Sequence, residues 1–196
     1  IGSTNEYLHL TRVDQLNCQI LKETIENGLS ILWFEKENNH LFIDGKRYDF
    51  KKNQIVFLTE FHNIKIGKVK DVRLLRFNKP FYCVLNHDNE VGCKGILFFG
   101  ASQLPFITIP DEELEKFENV WKMFAIEMES NDNLQIEMLQ MMLKRYLILC
   151  TRLFKSQKLY DVKFYESDIV REFNYLVEQH FKTKHSVADY ANLLHK

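Results

Sequence analysis

The chain has 196 residues, of which 45% are hydrophobic and 27% are charged. That composition is typical of a globular protein and excludes disordered and fibrous chains. Its 26 basic and 27 acidic residues leave a formal net charge of −1, which gives no global attraction to nucleic acid or to an anionic membrane. No apolar run reaches the roughly 18 residues that a membrane span needs.

Cysteine usage indicates the redox compartment. The four cysteines, at positions 18, 83, 93 and 150, are too few and too scattered for a disulfide framework, and the chain has no CxxC pair. Such a pattern is typical of reduced thiols. We therefore expect a cytoplasmic protein that has no membrane partner.

Glycine and proline divide the chain into two halves. All seven glycines and all three prolines lie in the first 110 residues, and residues 111–196 contain neither. Both residue types mark turns and are rare inside helices. The sequence therefore predicts a turn-rich half followed by a helical half, which is an α+β fold class.

Short apolar runs separated by turn residues fill the first half. The clearest is HLFI-DG-KRYDF, in which Asp44 and Gly45 stand between two strand-like runs, a strong hairpin signal. Strands at this density, without helices between them, favour a sandwich or a barrel. We predict a mostly β domain over residues 1–109, with strands at 29–35, 40–43, 46–50, 54–59, 61–66, 72–77, 81–85 and 95–99.

Helical periodicity begins directly after Pro110. Three acidic residues open the first helix, as the positive end of its dipole prefers, and apolar residues recur from Leu114 to Met128 at spacings of three and four. A polar break at 131–133 separates it from a second helix with the same spacings. We assign residues 110–160 to a helical linker or dimerisation segment.

The second helix carries more apolar surface than one neighbouring helix covers. Besides the face of Leu139, Leu143 and Tyr146, which we expect toward the first helix, it has a second apolar face. Either a partner subunit or the β domain covers this second face. We predict that a homodimer contact covers it, through Met138, Met142, Arg145 and Leu149.

The last part of the chain predicts two further helices. Ser167 caps the first of them, and after a turn at 182–185 the segment Ser186-Val-Ala-Asp189 has the pattern of a capping box. The final helix, SVADYANLLHK, is too short to be stable alone. We expect it to pack against the helix that precedes it.

Sequence motifs of catalysis and of nucleotide binding are absent. The chain has no GxGxxG, GxxxxGK[ST], GxSxG or HExxH motif, and its seven histidines form no HxH pair. No catalytic base, nucleophile and oxyanion donor stand out together. We therefore expect no enzyme activity, no catalytic residues and no cofactor.

One cluster of potential metal ligands has two interpretations. Cys83, His87, Asp88 and Cys93 are all zinc ligand types, but their spacing differs from that of paired ligands in structural zinc sites. Cys83 lies among aromatic residues, as a small buried hydrophobe would, and His-Asp-Asn is ordinary turn chemistry. We favour the structural interpretation and expect no metal, which metal analysis of the purified protein tests.

Aromatic residues on the predicted strands are candidates for a ligand pocket. A barrel of few strands can enclose one small molecule among aromatic and polar side chains. The alternative is that these rings only fill the core. For a pocket, we expect the lining residues to be Trp33, Tyr48, Phe57, His62 and Tyr82.

The order of these parts resembles that of AraC-type bacterial transcription regulators. The segment WFEKENNHLFIDGKRYDFKKNQIVFLTEFHNI resembles their cupin-type sensor barrel, and FNKPFYCVLNHDNEVGCKGILFFG is similar to its continuation in regulators from Bacteroidetes-type bacteria. VREFNYLVEQHFKTKHSVADYANLLHK resembles the start of their helix-turn-helix DNA-binding domain. The resemblance spans nearly the whole chain, and its C-terminal motif is the most specific part.

This resemblance implies a function for each segment. Residues 1–109 would form a cupin-like sensor for a small organic effector, with His62 facing inward, and residues 161–196 a truncated N-terminal part of a helix-turn-helix domain. Ser186 and Ala191 would lie in the first helix of that unit, and the base-reading helix would follow residue 196. The full-length parent would then bind operator DNA as a homodimer, without enzyme activity.

A function of a different class is the alternative. A stand-alone cupin enzyme or small-molecule-binding protein would use the same helices only as a dimer clamp. Metal-binding cupins are expected to carry an HxH pair, which this sequence lacks, so a metal-dependent enzyme is disfavoured. A reading frame that continues into a basic second helix-turn-helix favours the regulator.

Overall fold

The computed structural model describes residues 5–82, 97–98, 104–158, 173, 176–177 and 180–194. Strands come first and helices follow, so the predicted α+β class is confirmed. The described strands are β1 (Leu8–Val13), β2 (Gly28–Phe34), β3 (Asn39–Ile43), β4 (Lys46–Phe50), β5 (Gln54–Thr59), β6 (Ile64–Lys68), β7 (Val72–Asn78) and β8 (Phe106–Thr108). The described helices are a 3-10 helix at Cys18–Lys22, α1 (Asp111–Glu127), α2 (Gln135–Lys158) and α3 (Val187–Leu193).

The strands form two antiparallel sheets. The larger has the order β1-β7-β2-β5-β8 and the smaller has the order β4-β3-β6. The predicted hairpin joins β3 to β4, where Asp44 and Gly45 have φ angles of 51° and 79°. A two-residue turn with two positive φ angles matches the twist of the strands it joins. The Asp-Gly pair therefore fixes the register of this hairpin, with Ile43 opposite Lys46.

The larger sheet is apolar on both faces, and each face packs on a different layer. One face, which includes Ile31, Phe57 and Phe77, packs against α1 and α2. The alternate residues, such as Leu32 and Val56, pack against the smaller sheet. Because side chains alternate along a strand, β2, β5 and β7 contribute to both cores. The order of layers is small sheet, large sheet and helices.

Two long helices cover the outer face of the larger sheet. α1 begins after Pro110 with three acidic residues in its first turn, where the helix dipole favours negative charge. The predicted break before α2 is present, and Asp132 Oδ1 accepts a hydrogen bond from the Leu134 N–H at 2.8 Å. No helix in the described ranges is long and apolar enough to cross a membrane. The side chains of α1 that are buried are Phe117, Val120, Trp121 and Phe124.

Several strands differ from those predicted. β1 and β8 have no counterpart among the predicted strands, because β1 mixes polar with apolar residues and β8 has only three residues. The strand expected at 61–66 begins at Ile64, since residues 60–61 form the turn after β5. Phe81 lies in a turn and Tyr82 outside regular structure. Residues 83–85 and most of 95–99 lie outside the described residues.

The capping box predicted before α3 is present. The Ser186 side chain accepts a hydrogen bond from the Asp189 N–H at 3.2 Å, and the Asp189 carboxylate accepts one from the Ser186 N–H at 3.1 Å. α3 buries Tyr190, whose ring lies edge-on to the Phe173 ring at 5.5 Å. Because residue 173 is helical, the short last helix packs on its predecessor as expected. Ser167 lies outside the described residues.

Candidate functional site

Side chains fill the space between the two sheets over most of its length. Phe34 of the larger sheet and Phe50 of the smaller sheet stack with ring centroids 4.0 Å apart and planes at 7°. Leu32, Leu41 and Val56 are fully buried in the same core. Interiors packed in this way leave no space for a bound molecule, so a binding site has to lie at an end of the sandwich.

One end of the sandwich is polar. Cross-strand pairing places His9, Arg76, Ser30 and Leu58 side by side on β1, β7, β2 and β5. The next row on this face of the sheet contains Leu74 and further buried aliphatic side chains. We call the region of the first row the polar end.

A cavity of about 30 Å³ lies at the polar end. Its walls come from the segment 21–25, from the start of β2 and from the end of β5 with the following turn. A buried water needs roughly 10–15 Å³ of such volume, so the cavity has room for about two waters or one small planar group. Its polar lining consists mainly of Lys22, Glu23, Ser30, Thr59, His62 and Arg76.

Arg76 is the buried cation of this cavity, with 2% of its surface exposed. Its Nε donates to Ser30 Oγ at 2.9 Å, and its Nη1 donates to the Ile20 carbonyl at 3.0 Å. Burial lowers the pKa of Arg76, and Tyr7 and Glu23 offset this only in part. Among the described residues, no carboxylate forms an ion pair with this guanidinium and no group accepts a hydrogen bond from its Nη2. A buried cation that forms no ion pair is costly, even where two of its N–H groups are hydrogen-bonded.

His62 offers a defined donor to the same cavity. Its Nδ1 accepts a hydrogen bond from the Thr59 N–H at 3.0 Å, and Thr59 Oγ1 lies 3.1 Å from the same nitrogen. Because a backbone N–H can only donate, Nδ1 is an acceptor and the ring proton lies on Nε2. The Nε2–H is therefore the group that His62 can donate.

The five residues predicted to line a pocket do not lie together. Trp33, Phe57 and Tyr82 belong to the core between the larger sheet and the helices. Tyr48 packs at the margin of the core between the two sheets. Of the five, His62 alone borders the cavity at the polar end.

Two residues of the cavity, Arg76 and Ser30, were not among the predicted site residues. A signal for both exists, because each is a polar residue within an otherwise apolar strand, VRLLRF and LSILWF. The sequence gives no sign, however, that these two residues lie next to each other in the fold. Their proximity depends on the pairing of β2 with β7, which sets Ser30 opposite Arg76.

A second buried arginine joins the sheet to the helices. Arg73 on β7 has its side chain 4% exposed, and its Nη2 lies 2.5 Å from Glu35 and 2.7 Å from Glu118 of α1. Its guanidinium carbon lies 4.2 Å from the centre of the Trp33 ring and 5.3 Å from that of Trp121. Burial alone would lower the pKa of Arg73, but the hydrogen bonds to both carboxylates raise it above its usual value. We call these five residues the Arg73 cluster.

The four residues predicted for a subunit contact divide between two faces of α2. Met138 and Arg145 are exposed, whereas Leu149 is only 9% exposed and Met142 packs against the core. The side chains of α2 that face outward recur at spacings of three and four, as in a coiled-coil contact. We call this row the α2 seam: Met138, Met141, Arg145, Ile148 and Arg152.

A groove of about 760 Å³ runs along the α2 seam. Met141 and Ile148 contribute apolar surface to it, and Met141 is 67% exposed. Lys144, Arg145 and Arg152 place positive charge along the same groove. In the described part of the chain, this helix face therefore combines an apolar row with cationic side chains.

The potential zinc ligands Cys83, His87, Asp88 and Cys93 lie outside the described residues, so both interpretations of them stay predictions. Within the described ranges, no group of three or more His, Cys, Asp or Glu side chains is placed to hold a metal ion. The two residues predicted for the first helix of a DNA-binding unit lie on α3. Ser186 caps this helix, and Ala191 is partly buried within it.

Comparison with known proteins gives distant likenesses among solved structures, CuxR and ToxT among them. The sequence matches no protein-family model and no curated protein. Among solved structures, the AraC-like transcriptional activator CuxR is similar with a TM-score of 0.43 and 8% identity, over 95% of this chain and 62% of CuxR. ToxT from Vibrio cholerae O395, bound to (E)-4-(8-methylnaphthalen-1-yl)but-3-enoic acid, has a TM-score of 0.37 and 12% identity, over 98% of this chain and 72% of ToxT. The chain spans less than two thirds of the length of CuxR, and neither likeness is close enough to assign a function.

Proposed function

We propose that this chain is the effector-sensing and dimerisation part of an AraC-type transcription regulator. The observation that carries the proposal is α3, because SVADYANL begins on a reciprocal capping box and packs Tyr190 against the preceding helix. That segment is also where the resemblance to the family is most specific. α3, with Ser186 and Ala191, is then the first helix of a helix-turn-helix, which crosses the DNA backbone while the next helix reads bases.

The sandwich is the sensor in this proposal, and its effector binds at the polar end. Two observations support this position: Arg76 lacks an anionic partner among the described residues, and Arg76 also holds the carbonyl of Ile20 in the 3-10 helix. An occupant that contacts Arg76 competes for the same guanidinium as the 3-10 helix. Binding can therefore shift the position of this segment, as a ligand with different affinities for two states does.

The Arg73 cluster supplies a physical connection from the sheet to α1. β7 carries Arg76 toward the sandwich interior and Arg73 toward the helices, three residues apart. A displacement of β7 on binding therefore also moves the guanidinium that holds Glu118 of α1. In this account, the cluster transmits the effector signal to the helices.

A second copy of the chain covers the α2 seam. An antiparallel pair with its two-fold axis at Met141 sets Glu137 beside Arg145 of the second copy, since each lies four residues from the axis. The same register sets exposed Leu134 beside the second copy's Ile148. Opposite charges and apolar side chains thus meet in one arrangement, which is the argument for a homodimer.

Selection of duplexes from a random DNA pool by the full-length parent protein tests the proposal. We expect enrichment of a sequence with two half-sites, because a dimer with one recognition unit per subunit requires two. An enriched pool without a shared sequence contradicts a regulator that binds an operator.

A further inference from the structure

The cavity at the polar end has the chemistry of an anion site. We propose that it binds the carboxylate group of a small monocarboxylic acid, with Arg76 and His62 as its two donors. Arg76 contributes Nη2, which has no acceptor among the described residues, and His62 contributes Nε2–H. A guanidinium and a second N–H donor are the partners that a carboxylate accepts in proteins.

The size of the cavity favours a planar group with two oxygens. Its volume of about 30 Å³ has room for about two water molecules. A carboxylate replaces two waters with its two oxygens, one toward each donor. The remainder of the molecule then extends past segment 21–25 or past the turn after β5, which form the walls.

The charges around the cavity favour a monoanion over a dianion. Lys22 and Arg76 are positive, while Glu23 and Glu60 also line the cavity. The Glu60 carboxylate accepts a hydrogen bond from the Asn27 N–H at 2.8 Å. Within the described residues, no ion pair joins Glu23 to Arg76. The buried guanidinium stabilises one added negative charge. A second negative charge is repelled by the carboxylates of Glu23 and Glu60.

Arg76 is the main charge in the row of side chains at the polar end, because the titratable groups beside it are neutral. His9 stands opposite Arg76 on β1, and burial together with the charge of Arg76 lowers the pKa of His9. Burial also raises the pKa of Tyr7. Both side chains are therefore neutral at neutral pH, and neither neutralises nor adds to the guanidinium.

The inference rests on the proposed sensor function for its biological role, because it names the class of effector. Its test needs no DNA, so the two can fail separately. Carboxylate binding without operator selection overturns the regulator alone. Operator selection without carboxylate binding overturns this inference alone.

The experiment follows the Arg76 side-chain Nε–Hε signal by NMR while sodium acetate is added to the protein. We expect a saturable shift with acetate, and none with acetamide, which has the same shape without charge, or with sodium chloride at equal ionic strength. An equal response to acetamide, or no saturable response to acetate, overturns the proposal. Inorganic phosphate that binds more tightly than acetate overturns the carboxylate class.

Two variants separate binding from folding. Arg76→Gln is expected to abolish acetate binding, which is followed in this variant through the His62 ring signals because the Arg76 signal is lost. His62→Phe is expected to weaken acetate binding by about tenfold or more, the value of one hydrogen bond to a charged group. Arg47→Gln is the matched control, since Arg47 is exposed and pairs with Asp49 on β4. If Arg76→Gln does not fold, His62→Phe decides, and unchanged acetate affinity in that variant contradicts the proposed donors.

Discussion

The guanidinium of Arg73 lies over the face of Trp33, 4.2 Å from the ring centre, at the junction between the larger sheet and the helices. The same guanidinium bonds to Glu35, directly after β2, and to Glu118 of α1. Cation–π contact and two charge-assisted hydrogen bonds together offset the loss of hydration of a buried cation. Because Glu118 belongs to α1, the Arg73 guanidinium held over Trp33 ties this helix to the sheet.

Arg73→Ala is expected to destabilise the fold by about 3 kcal/mol, because it breaks a buried ion pair and leaves Glu35 without its buried partner. Arg12→Ala is the matched control. Arg12 also pairs with Glu35, but its side chain is 63% exposed, so its loss changes stability by at most about 1 kcal/mol. Urea unfolding of both variants measures the difference. Equal stability losses contradict the central role of Arg73.

The fold could be predicted from sequence where the signals are local. The Asp44-Gly45 turn, the acidic start of α1 and the capping box at Ser186 each lie within a few residues, and each is present in the structure. The two faces of β2 could not be assigned in this way. Both are apolar, so periodicity does not say that Trp33 points toward the helices.

The site depends on contacts between distant parts of the chain. The odd spacing of Arg73 and Arg76 on β7 predicts opposite faces, but their partners have no local signal. Glu118 lies 45 residues from Arg73, and Ser30 lies 46 residues from Arg76. Such pairs follow from sheet topology and helix placement, which a single sequence does not give.

The proposed dimer register predicts a charge-swap rescue. Arg145→Glu places two carboxylates beside one another, at Glu137 and position 145 of the second copy, and is expected to give monomers. Adding Glu137→Arg restores opposite charges and is expected to restore the dimer. Light scattering measures both. A dimer that survives Arg145→Glu, or a double variant that stays monomeric, contradicts this register.

Leu149 and Met141 differ in what their replacement should affect. Leu149→Glu buries a charge in the core of the chain itself. We therefore expect it to lower the free energy of unfolding by roughly several kcal/mol, so that a loss of the dimer in this variant accompanies a loss of the fold. Met141→Glu leaves the fold intact but puts a charge on the proposed axis. Met123→Glu, at a half-exposed position of α1, is the control and should stay dimeric in sedimentation experiments. Dimers of unchanged affinity with Met141→Glu place the contact elsewhere.

Cys150 is expected to be unreactive in the native protein. Complete burial raises the pKa of its thiol well above the usual value, and the thiolate is the reactive species. Iodoacetamide labelling followed by peptide mass analysis should leave Cys150 unmodified until denaturant is added. Labelling of Cys150 in the native protein at neutral pH contradicts its placement beneath α1 and the larger sheet.

The start of α3 is expected to weaken in acid. Hydrogen bonds from the Ser186 side chain and backbone lower the pKa of Asp189. A lowered pKa in the folded state means that the stabilisation is complete above the pKa of the unfolded chain, about 3.9, and is lost as the pH falls through the folded value. NMR titration of Asp189 checks the direction. Ser186→Ala should raise the Asp189 pKa toward its usual value, and no change contradicts the reciprocal cap.

The most direct test of the account is the binding of DNA by the parent protein. Fluorescence anisotropy with the parent's own promoter should show tight binding that falls steeply as salt rises, because lysine and arginine contacts to phosphates release counterions. In the proposed assignment, the helix that follows α3 reads the bases, so residues 1–196 alone should dimerise without measurable binding at physiological salt. Sequence-selective binding by residues 1–196, or no binding by the full-length parent, would contradict the assignment of α3 to the first helix of a helix-turn-helix.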